Sequence, residues 1–371
     1  MSSWASEAFG EIINHGHFSI TEPGPLHAPI RSFSVRRDEK LHLILETHCD
    51  TDATSTAIEH PAGTVRISTD TTVLTNIGGI VARAVGVEAL NVSTSFNHQT
   101  GERGLREYAR VLQHIEAIIR DDLEPRYTID WLENFEARSF VWPELVRRKK
   151  DTTETLIVGD DGITLTSDDE DHSFSRNCVG FSVSGVKLYA CASWQGSSGR
   201  GIKPGCIIYV GAPDDDTRRK IRTALSFSLG IYLVYLGHTV FSDDWHTIYF
   251  KSVNGYSIGQ RVFDLHVLPP APLGPQYQHE ITSQAISRMV NAIYSQYNEL
   301  KFDTLSWIYW HALCATMQTA PADFGAAIEA LQRNYVKLHS TKLQNEVGPR
   351  FNEVESFIER DSAGNIPIRN T

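Results

Sequence analysis

The sequence has no long uninterrupted hydrophobic run. Its most apolar stretch, residues 223–237 (TALSFSLGIYLVYLG), contains serines and a glycine. It is also shorter than the roughly 20 residues that a membrane-spanning helix needs. We interpret it as a buried helix. The N-terminus shows no basic segment leading into an apolar core, so we predict no export signal and no membrane partner.

Cysteine is scarce, and basic residues are outnumbered by acidic ones. The five cysteines are widely spaced, and no C-x-x-C pair suggests a zinc or redox site. Reduced thiols in a cytoplasmic protein are the simplest interpretation. The formal net charge of −11 gives no global attraction for a phosphate backbone. Any contact with nucleic acid must therefore come from a local basic patch.

Common cofactor and hydrolase signatures are missing as well. The glycines of residues 196–205 (GSSGRGIKPG) do not form a phosphate loop, because no GK[ST] opens a helix behind them. We find no nucleophile elbow, kinase signature or dinucleotide fingerprint. The sequence therefore predicts no cofactor.

Short β-rich runs separated by turn signals fill the chain up to about residue 100. Apolar residues then recur at helical spacing, which predicts a first inserted helix. They are Leu105, Tyr108, Leu112, Ile115 and Ile119. Strands are predicted again over 126–212. The segment that follows begins with aspartates suited to N-capping, and it predicts a second inserted helix.

The Pro-rich segment 268–275 (LPPAPLGP) can continue neither a helix nor a central strand, so we place a linker there. Three apolar stripes at helical spacing follow it. They are Ile286, Met289, Ile293, Tyr297; Leu305, Ile308, Ala312, Met317; and Phe324, Ile328, Leu331, Tyr335, Leu338. We predict an α+β protein in which residues 1–267 form a β-rich sensor or scaffold module and residues 276–371 form an all-α helical bundle.

The third predicted helix carries an arginine and a histidine separated by five residues, RNYVKLH. The guanidinium of Arg333 could hold a phosphate in two places. The imidazole of His339 could exchange a proton near neutral pH, and Asn334 could orient the attacked group. These three residues could cleave RNA without a metal, with the arginine stabilising charge on the reacting phosphate.

Helix geometry complicates this hypothesis. At 100° per residue, Arg333 points away from the apolar stripe, and His339 lies about 120° from Arg333. Their convergence requires a helix end near His339, or a second protomer that contributes half of the site. The alternative is a solvent-facing arginine and a histidine near the helix C-terminus, where the helix dipole favours positive charge.

The order of these features resembles bacterial proteins of the ApeA-like type, in which a β-rich module precedes a HEPN helical domain. The segments that carry the resemblance are RRKIRTALSFSLG, the Pro-rich linker, WIYWHALCA and FGAAIEALQRN. HEPN domains share a helical bundle and an R-x(4–6)-H motif, which would here be Arg333, Asn334 and His339. The resemblance implies a metal-independent, dimeric RNase in prokaryotic defence against phage, with a phage-derived or other trigger.

One departure from the family pattern keeps other interpretations open. The helix like AAIEALQ usually precedes the motif helix, whereas here it contains the motif. Arg369-Asn370 could also begin such a motif, whose histidine would follow residue 371. A non-catalytic relative is the third interpretation, in which the chain binds a ligand or protein and the helical region only dimerises.

Several further residues are candidates for binding. Arg218, Arg219 and Arg222 could form an RNA-binding patch if the fold brings them near the helical domain. Two acidic clusters could hold a metal but fit a polar strand end and a hairpin better, so we predict no metal site. They are Glu46, His48, Asp50 and Asp243, Asp244, His246. Trp131, Trp142 and Trp194 would be the residues of a peptide- or sugar-recognition surface, although tryptophan in a sheet usually packs in the core.

Overall fold

Strands predominate before residue 255 and helices after residue 282 in the computed structural model of the chain. The structure describes residues 13, 17–38, 41–54, 70–86, 88–96, 103–135, 144–149, 154–158, 163–166, 174–192, 205–255 and 282–346. Its strands are β1 (Phe18–Glu22), β2 (Ala28–Arg37), β3 (Leu43–Thr54), β4 (Thr71–Asn76), β5 (Val81–Val85), β6 (Glu88–Phe96), β7 (Arg103–Leu112), β8 (His114–Ile118), β9 (Tyr127–Leu132), β10 (Glu144–Lys149), β11 (Glu154–Val158), β12 (Ile163–Thr166), β13 (Phe174–Val183), β14 (Val186–Cys191), β15 (Gly205–Val210), β16 (Tyr235–Phe241) and β17 (Thr247–Val253). Its helices are α1 (Asp215–Leu229), α2 (Ser283–Ser295), α3 (Phe302–Cys314), α4 (Ala320–Leu338) and α5 (Ser340–Glu346).

The strands form two antiparallel sheets. The larger sheet has 13 strands in the order β1-β4-β5-β8-β17-β16-β9-β15-β14-β13-β10-β11-β12. The smaller sheet has four, in the order β2-β3-β7-β6. The predicted mixture of helices and strands is therefore confirmed at the level of an α+β protein.

Side-chain alternation explains why these segments are strands. In β17, Ile248, Phe250 and Ser252 are buried, whereas Tyr249 and Lys251 between them are partly exposed. The same period of two occurs in β5, where Ala82 is buried on one face and Arg83 points to the other. Each strand can thus contribute an apolar face to one core and a polar face elsewhere.

Different elements cover the two faces of the larger sheet. Helices α1 and α2 pack on one face over β13, β14, β15 and β9, and they bury Ile221, Leu225, Ile286 and Val290. The smaller sheet packs against β4, β5, β8 and β17 through a second core. Its members include Leu74, Ala82, Ile115 and Phe250 from the larger sheet, and Val35, Leu43, Leu45 and Leu112 from the smaller sheet.

The helix predicted around Leu105–Ile119 is wrong. This segment forms β7 and β8, with a break at Gln113. Tyr108 and Leu112 are on the buried face of β7, and Ile115 is on the buried face of β8. The change of strand at the break gives these apolar residues a spacing that resembles that of a helix. The first of the two predicted inserted helices does not exist here. The physical reason is that β3, β6, β5 and β17 supply backbone partners that no local pattern announces.

The second inserted helix is confirmed in its first half and wrong in its second. Asp214 caps α1 by accepting a hydrogen bond from the Thr217 backbone N–H at 2.8 Å, as the aspartates predicted. Gly230, in the left-handed conformation with φ 69°, ends the helix, and the end of the apolar run, from Tyr235, belongs to β16. Within the described residues, no helix combines the length and the apolarity needed to cross a membrane.

The chain divides into two compact units, residues 1–294 and residues 295–371. The predicted linker 268–275 lies outside the described residues. Helix α2, which we had grouped with the helical bundle, packs on the larger sheet of the first unit. The described part of the second unit consists of α3, α4 and α5, and the side chains of Trp310 and Tyr297 are almost fully buried there.

Candidate functional site

The three motif residues lie at the C-terminal end of α4, and each contacts a different neighbour. Arg333 is 75% exposed and pairs with Glu329, one helical turn earlier, at 2.6 Å. The Asn334 amide donates to the Leu300 carbonyl oxygen at 2.9 Å. His339 follows the last residue of the helix, and its ring lies 4.3 Å from that of Tyr335.

The structure does not bring these three side chains to a common point within one copy. Arg333 and His339 are six residues apart, which places them about 120° around the helix and about 9 Å along it. No contact between them occurs among the described residues. The predicted site is thus incomplete in one chain, and a second copy would have to complete it.

The apolar stripe of α4 is exposed, although the apolar stripe of a helix in a globular protein usually faces the core. Ile328, Leu331, Tyr335 and Leu338 are between 40% and 57% exposed, and α4 buries none of its described side chains. The helix instead faces its own unit through a different side, on which Asn334 bonds to Leu300. We call these four residues the α4 stripe.

The arginines predicted to bind RNA do not form a solvent-exposed patch. Arg218 is 3% exposed, and its guanidinium donates to the Asp130 carboxylate at 2.5 Å. Arg222 also pairs with Asp130, and its guanidinium lies over the Tyr235 ring, 3.8 Å from the centroid. Arg219 is half-exposed and pairs with Asp216. Two of the three arginines are therefore buried in ion pairs with Asp130.

Asp130 is the centre of a buried polar network that the sequence did not reveal. It lies in β9, is fully buried, and faces α1, because its carboxylate pairs with Arg218 and Arg222 of that helix. His238 in β16 is its direct cross-strand partner. The His238 ring accepts from or donates to the Tyr235 hydroxyl, with Nδ1 and Oη 2.6 Å apart.

Electrostatics determine the protonation states of this network. Burial alone would raise the pKa of Asp130, but the charges of Arg222 and Arg218 hold it below its ordinary value. Burial, followed by the charge of Arg218, lowers the pKa of His238 to about 4. Burial and the nearby Asp130 raise the pKa of Tyr235. The tyrosine therefore stays protonated at neutral pH, and its hydroxyl donates a hydrogen bond to the unprotonated Nδ1 of His238.

A row of charged side chains extends the network toward solvent. Cross-strand partners follow one another on one face of the sheet: His238 opposite Lys251, Lys251 opposite Glu116, and Glu116 opposite the exposed Arg83. The Tyr249 hydroxyl donates to Glu116 at 2.7 Å. This row ends at an open cleft of about 430 Å³, lined by residues that include Arg83, Glu116 and Tyr249.

The network can hold α1 on the sheet, but its buried end is not open to a substrate. Asp130 is inaccessible and His238 is 5% exposed. The carboxylates of Asp130 and Asp215 balance the guanidinium groups of Arg218 and Arg222, so the charges are matched within the protein. The signal that could have revealed it was an aspartate within the apolar strand TIDWL, together with a histidine in YLGHTVF.

The residues of the two acidic clusters lie in ordinary structural surroundings. Glu46 pairs with Arg36 and Asp50 with Arg31 on the outer face of the smaller sheet. Asp243, Asp244 and His246 lie in the turn between β16 and β17. No group of three or more possible metal ligands comes together within the part of the chain that the structure describes.

Of the three tryptophans considered for a recognition surface, the structure describes Trp131 alone. Trp131 is a core residue, 2% exposed, and its indole N–H donates to the Thr239 hydroxyl at 3.0 Å. Trp142 and Trp194 lie outside the described residues, as do Arg369 and Asn370. Core packing therefore accounts for the one tryptophan of this group whose position is known.

Comparison with known proteins adds no family assignment. The sequence matches no protein-family model, and no curated protein or solved structure matches the chain. The ApeA-like and HEPN-type resemblance therefore stays a prediction based on the motifs.

Proposed function

We propose that this protein is a prokaryotic antiviral-defence protein whose helical unit is a HEPN-like, metal-independent RNase that acts as a homodimer in the cytoplasm. The motif resemblance is the source of this hypothesis. All five cysteines are free thiols, which supports a reducing compartment. The β-rich unit would respond to a phage-derived or other trigger.

The α4 stripe is the observation that supports a dimer. Its residues follow one another at intervals of three and four, the spacing at which two helices pair through a continuous seam. An exposed apolar row of this kind in a folded protein marks an interaction surface. A second copy of the same chain is the occupant we propose, because the pair of Arg333 and His339 is incomplete in one copy.

The proposed roles follow from the chemistry of the side chains. Arg333 would hold the phosphodiester and stabilise its negative charge, and His339 would transfer the proton at the 2′-hydroxyl or leaving oxygen. Asn334 would orient the attacked group. The Glu329 partner of Arg333 does not prevent this, because an exposed ion pair is weak and easily exchanged.

A second candidate function is a binding protein whose helical unit only dimerises. One observation favours it: helix geometry places Arg333 on the side of α4 opposite the stripe, so pairing through the stripe leaves Arg333 outside the seam. In that case the α4 stripe is the functional feature of the unit, and the motif is an ordinary polar surface.

RNA cleavage distinguishes the two functions. We expect the purified protein to cut single-stranded RNA in the presence of EDTA, and Arg333→Ala or His339→Ala to abolish cutting. Lys337→Ala is the matched control, because it removes another cation from the last turn of the same helix. Full activity in both motif variants would place the site elsewhere, and an inactive wild-type dimer would support the binding protein.

Self-association is tested separately. We expect Leu331→Asp to convert a dimer into a monomer in sedimentation equilibrium, because it places a charge within the stripe. Val336→Asp is the control, since Val336 is 54% exposed but lies outside the stripe on the same helix. A wild-type monomer, or equal effects of both variants, would contradict pairing through the α4 stripe.

A further inference from the structure

The smaller sheet contains a buried arginine for which the structure describes no acidic partner. Arg110, in β7, is 6% exposed, and it makes no ion pair among the described residues. Its polar contact is with a neutral group, because Nη2 lies 2.9 Å from Nδ1 of His27. By contrast, the similarly buried Arg218 has the carboxylate of Asp130. A buried cation without a counter-charge is costly, and proteins seldom keep one without a use.

Unused hydrogen-bond donors lie beside this arginine. Nε of Arg110 and the hydroxyl of Thr47 are both buried and have no hydrogen-bond partner among the described residues. Thr47 lies in β3, directly across from Tyr108, so it is the diagonal neighbour of Arg110 on the same face of the sheet. Diagonal neighbours are about 7–8 Å apart, within reach of a long side chain. Two neighbouring buried groups that can donate hydrogen bonds therefore have no acceptor among the described residues.

The surroundings add positive charge and rigidity. Arg106 lies on the same face as Arg110, and its charge acts on His27. The rings of His27 and Tyr108 are stacked at 4.2 Å, and the Arg110 guanidinium lies 5.6 Å from the Tyr108 ring centroid. Burial and then the charges of Arg110 and Arg106 lower the pKa of His27, so the imidazole stays neutral and does not repel a second cation.

The acidic residues of these strands are on the opposite face. Glu46 and Asp50 pair there with Arg36 and Arg31, and Glu107 accepts from the Ser93 hydroxyl. The thiol of Cys49, on the inner face, donates to the His27 carbonyl, and burial raises its pKa, so it carries no negative charge. The described part of the inner face thus offers donors and positive charge but no carboxylate.

We propose that this cluster binds a small oxyanion group, a carboxylate or a phosphate, between the Arg110 guanidinium and the Thr47 hydroxyl. Arg106 and His27 are partly exposed and form the side from which the anion enters. The guanidinium matches an oxyanion geometrically because it offers parallel N–H groups in one plane. The site lies in the β-rich unit, and it is independent of the proposed RNase activity.

The test measures thermal unfolding of the full chain with inorganic phosphate or acetate, at constant ionic strength in chloride. A ligand that binds only the folded protein raises the unfolding temperature as its concentration increases. We expect such a rise for the wild type with at least one of the two anions. A larger effect of phosphate would indicate a site for a tetrahedral oxyanion, and a larger effect of acetate a site for a planar carboxylate. Isothermal titration of the same anion should give a saturable signal.

Variants separate specific binding from the general stabilising effect of phosphate. We expect Arg110→Met to lose the anion-dependent rise while unfolding, without anion, at no lower temperature than the wild type. Thr47→Val should weaken binding roughly tenfold, the effect of losing one hydrogen bond to a charged group. Arg31→Met, which removes an exposed arginine from the other face, should retain the full rise.

Two results would overturn the site. One is a wild type that responds to neither anion beyond the response of Arg110→Met. The other is an Arg110→Met variant that is strongly destabilised without anion while the anion-dependent rise persists, which would make Arg110 a purely structural residue.

Discussion

His238 lies directly across from Asp130 on neighbouring strands, and both side chains face helix α1. The carboxylate binds two guanidinium groups from that helix, and the imidazole stays neutral beside them. This pair joins the helix to the sheet through charge rather than through apolar packing alone. Its energetic consequences can be measured separately for each residue.

Replacement of Asp130 by Asn should destabilise the β-rich unit severely. The change leaves the buried Arg222 without its carboxylate and Arg218 with only the exposed Asp215 as a counter-charge. Removing one partner of a buried ion pair costs about 3–5 kcal/mol. Urea unfolding followed by tryptophan fluorescence measures the effect. Asp216→Asn removes the exposed partner of Arg219 on the same helix and should have little effect. Equal losses in the two variants would show that the buried network is not a stabilising clamp.

The free energy of unfolding should decrease as the pH is lowered, already at pH values where the carboxylates are still ionised. The pKa of His238 is about 4 in the folded state and 6.5 ordinarily, so between these values the unfolded chain binds a proton that the folded protein does not. The free energy of unfolding should therefore decrease as the pH drops from about 6.5 toward 4, with a slope of at most about 1.4 kcal/mol per pH unit from this residue. The charged groups that act on the imidazole include Arg218, Asp130, Asp215 and Arg222, and Lys251 is its cross-strand neighbour.

The variant that isolates this effect is His238→Gln, which cannot titrate. Its unfolding free energy should depend less on pH than that of the wild type over the same range. The other histidines with lowered pKa values, His27 and His114, remain in both proteins and cancel in the comparison. His246→Gln, at an exposed position in a turn, should keep the wild-type slope. An unchanged slope in His238→Gln would contradict the burial of a neutral imidazole.

Gly237 should not tolerate a side chain. Its φ is +135°, and a Cβ atom would overlap the backbone carbonyl of Lys251 on the paired strand. We expect Gly237→Ala to destabilise the protein by about 3 kcal/mol or more, from backbone strain and overpacking together. Gly185→Ala is the matched control, because Gly185 also has positive φ but faces open space, and it should cost about 1–2 kcal/mol. If thermal unfolding shows similar losses of stability in the two variants, close contact with the paired strand is not what makes Gly237 necessary.

Helix α2 should stabilise the β-rich unit although it follows the Pro-rich linker in sequence. Ile286 and Val290 are fully buried on the larger sheet, and Asn291 bonds to the carbonyl of Ser182 at 2.7 Å. Ile286→Ala should reduce the unfolding free energy by about 2–5 kcal/mol. Arg288→Ala, on the exposed side of the same helix, should change it little. If Ile286→Ala leaves the unfolding of the sheet unchanged, α2 does not belong to that core.

Sequence patterns predicted those features whose causes are local. The capping aspartate of α1, the strands β13, β14 and β15, and the helical character of the last described part all follow from residues close together in the chain. The position of the motif on a helix was predicted for the same reason. Whether Arg333 and His339 act on RNA stays a prediction, because the structure does not bring their side chains together within one chain.

Long-range pairing determined the rest. The Leu105–Ile119 segment became two strands because partners more than fifty residues away bond to its backbone. The basic residues of α1 became buried because Asp130, 88 residues from Arg218, meets them across the core. Cys178, Cys191 and Cys206, widely spaced in sequence, are cross-strand neighbours on three adjacent strands. Local spacing sets the type of many elements, whereas burial, ion pairing and exposure depend on which distant residues the chain brings into contact.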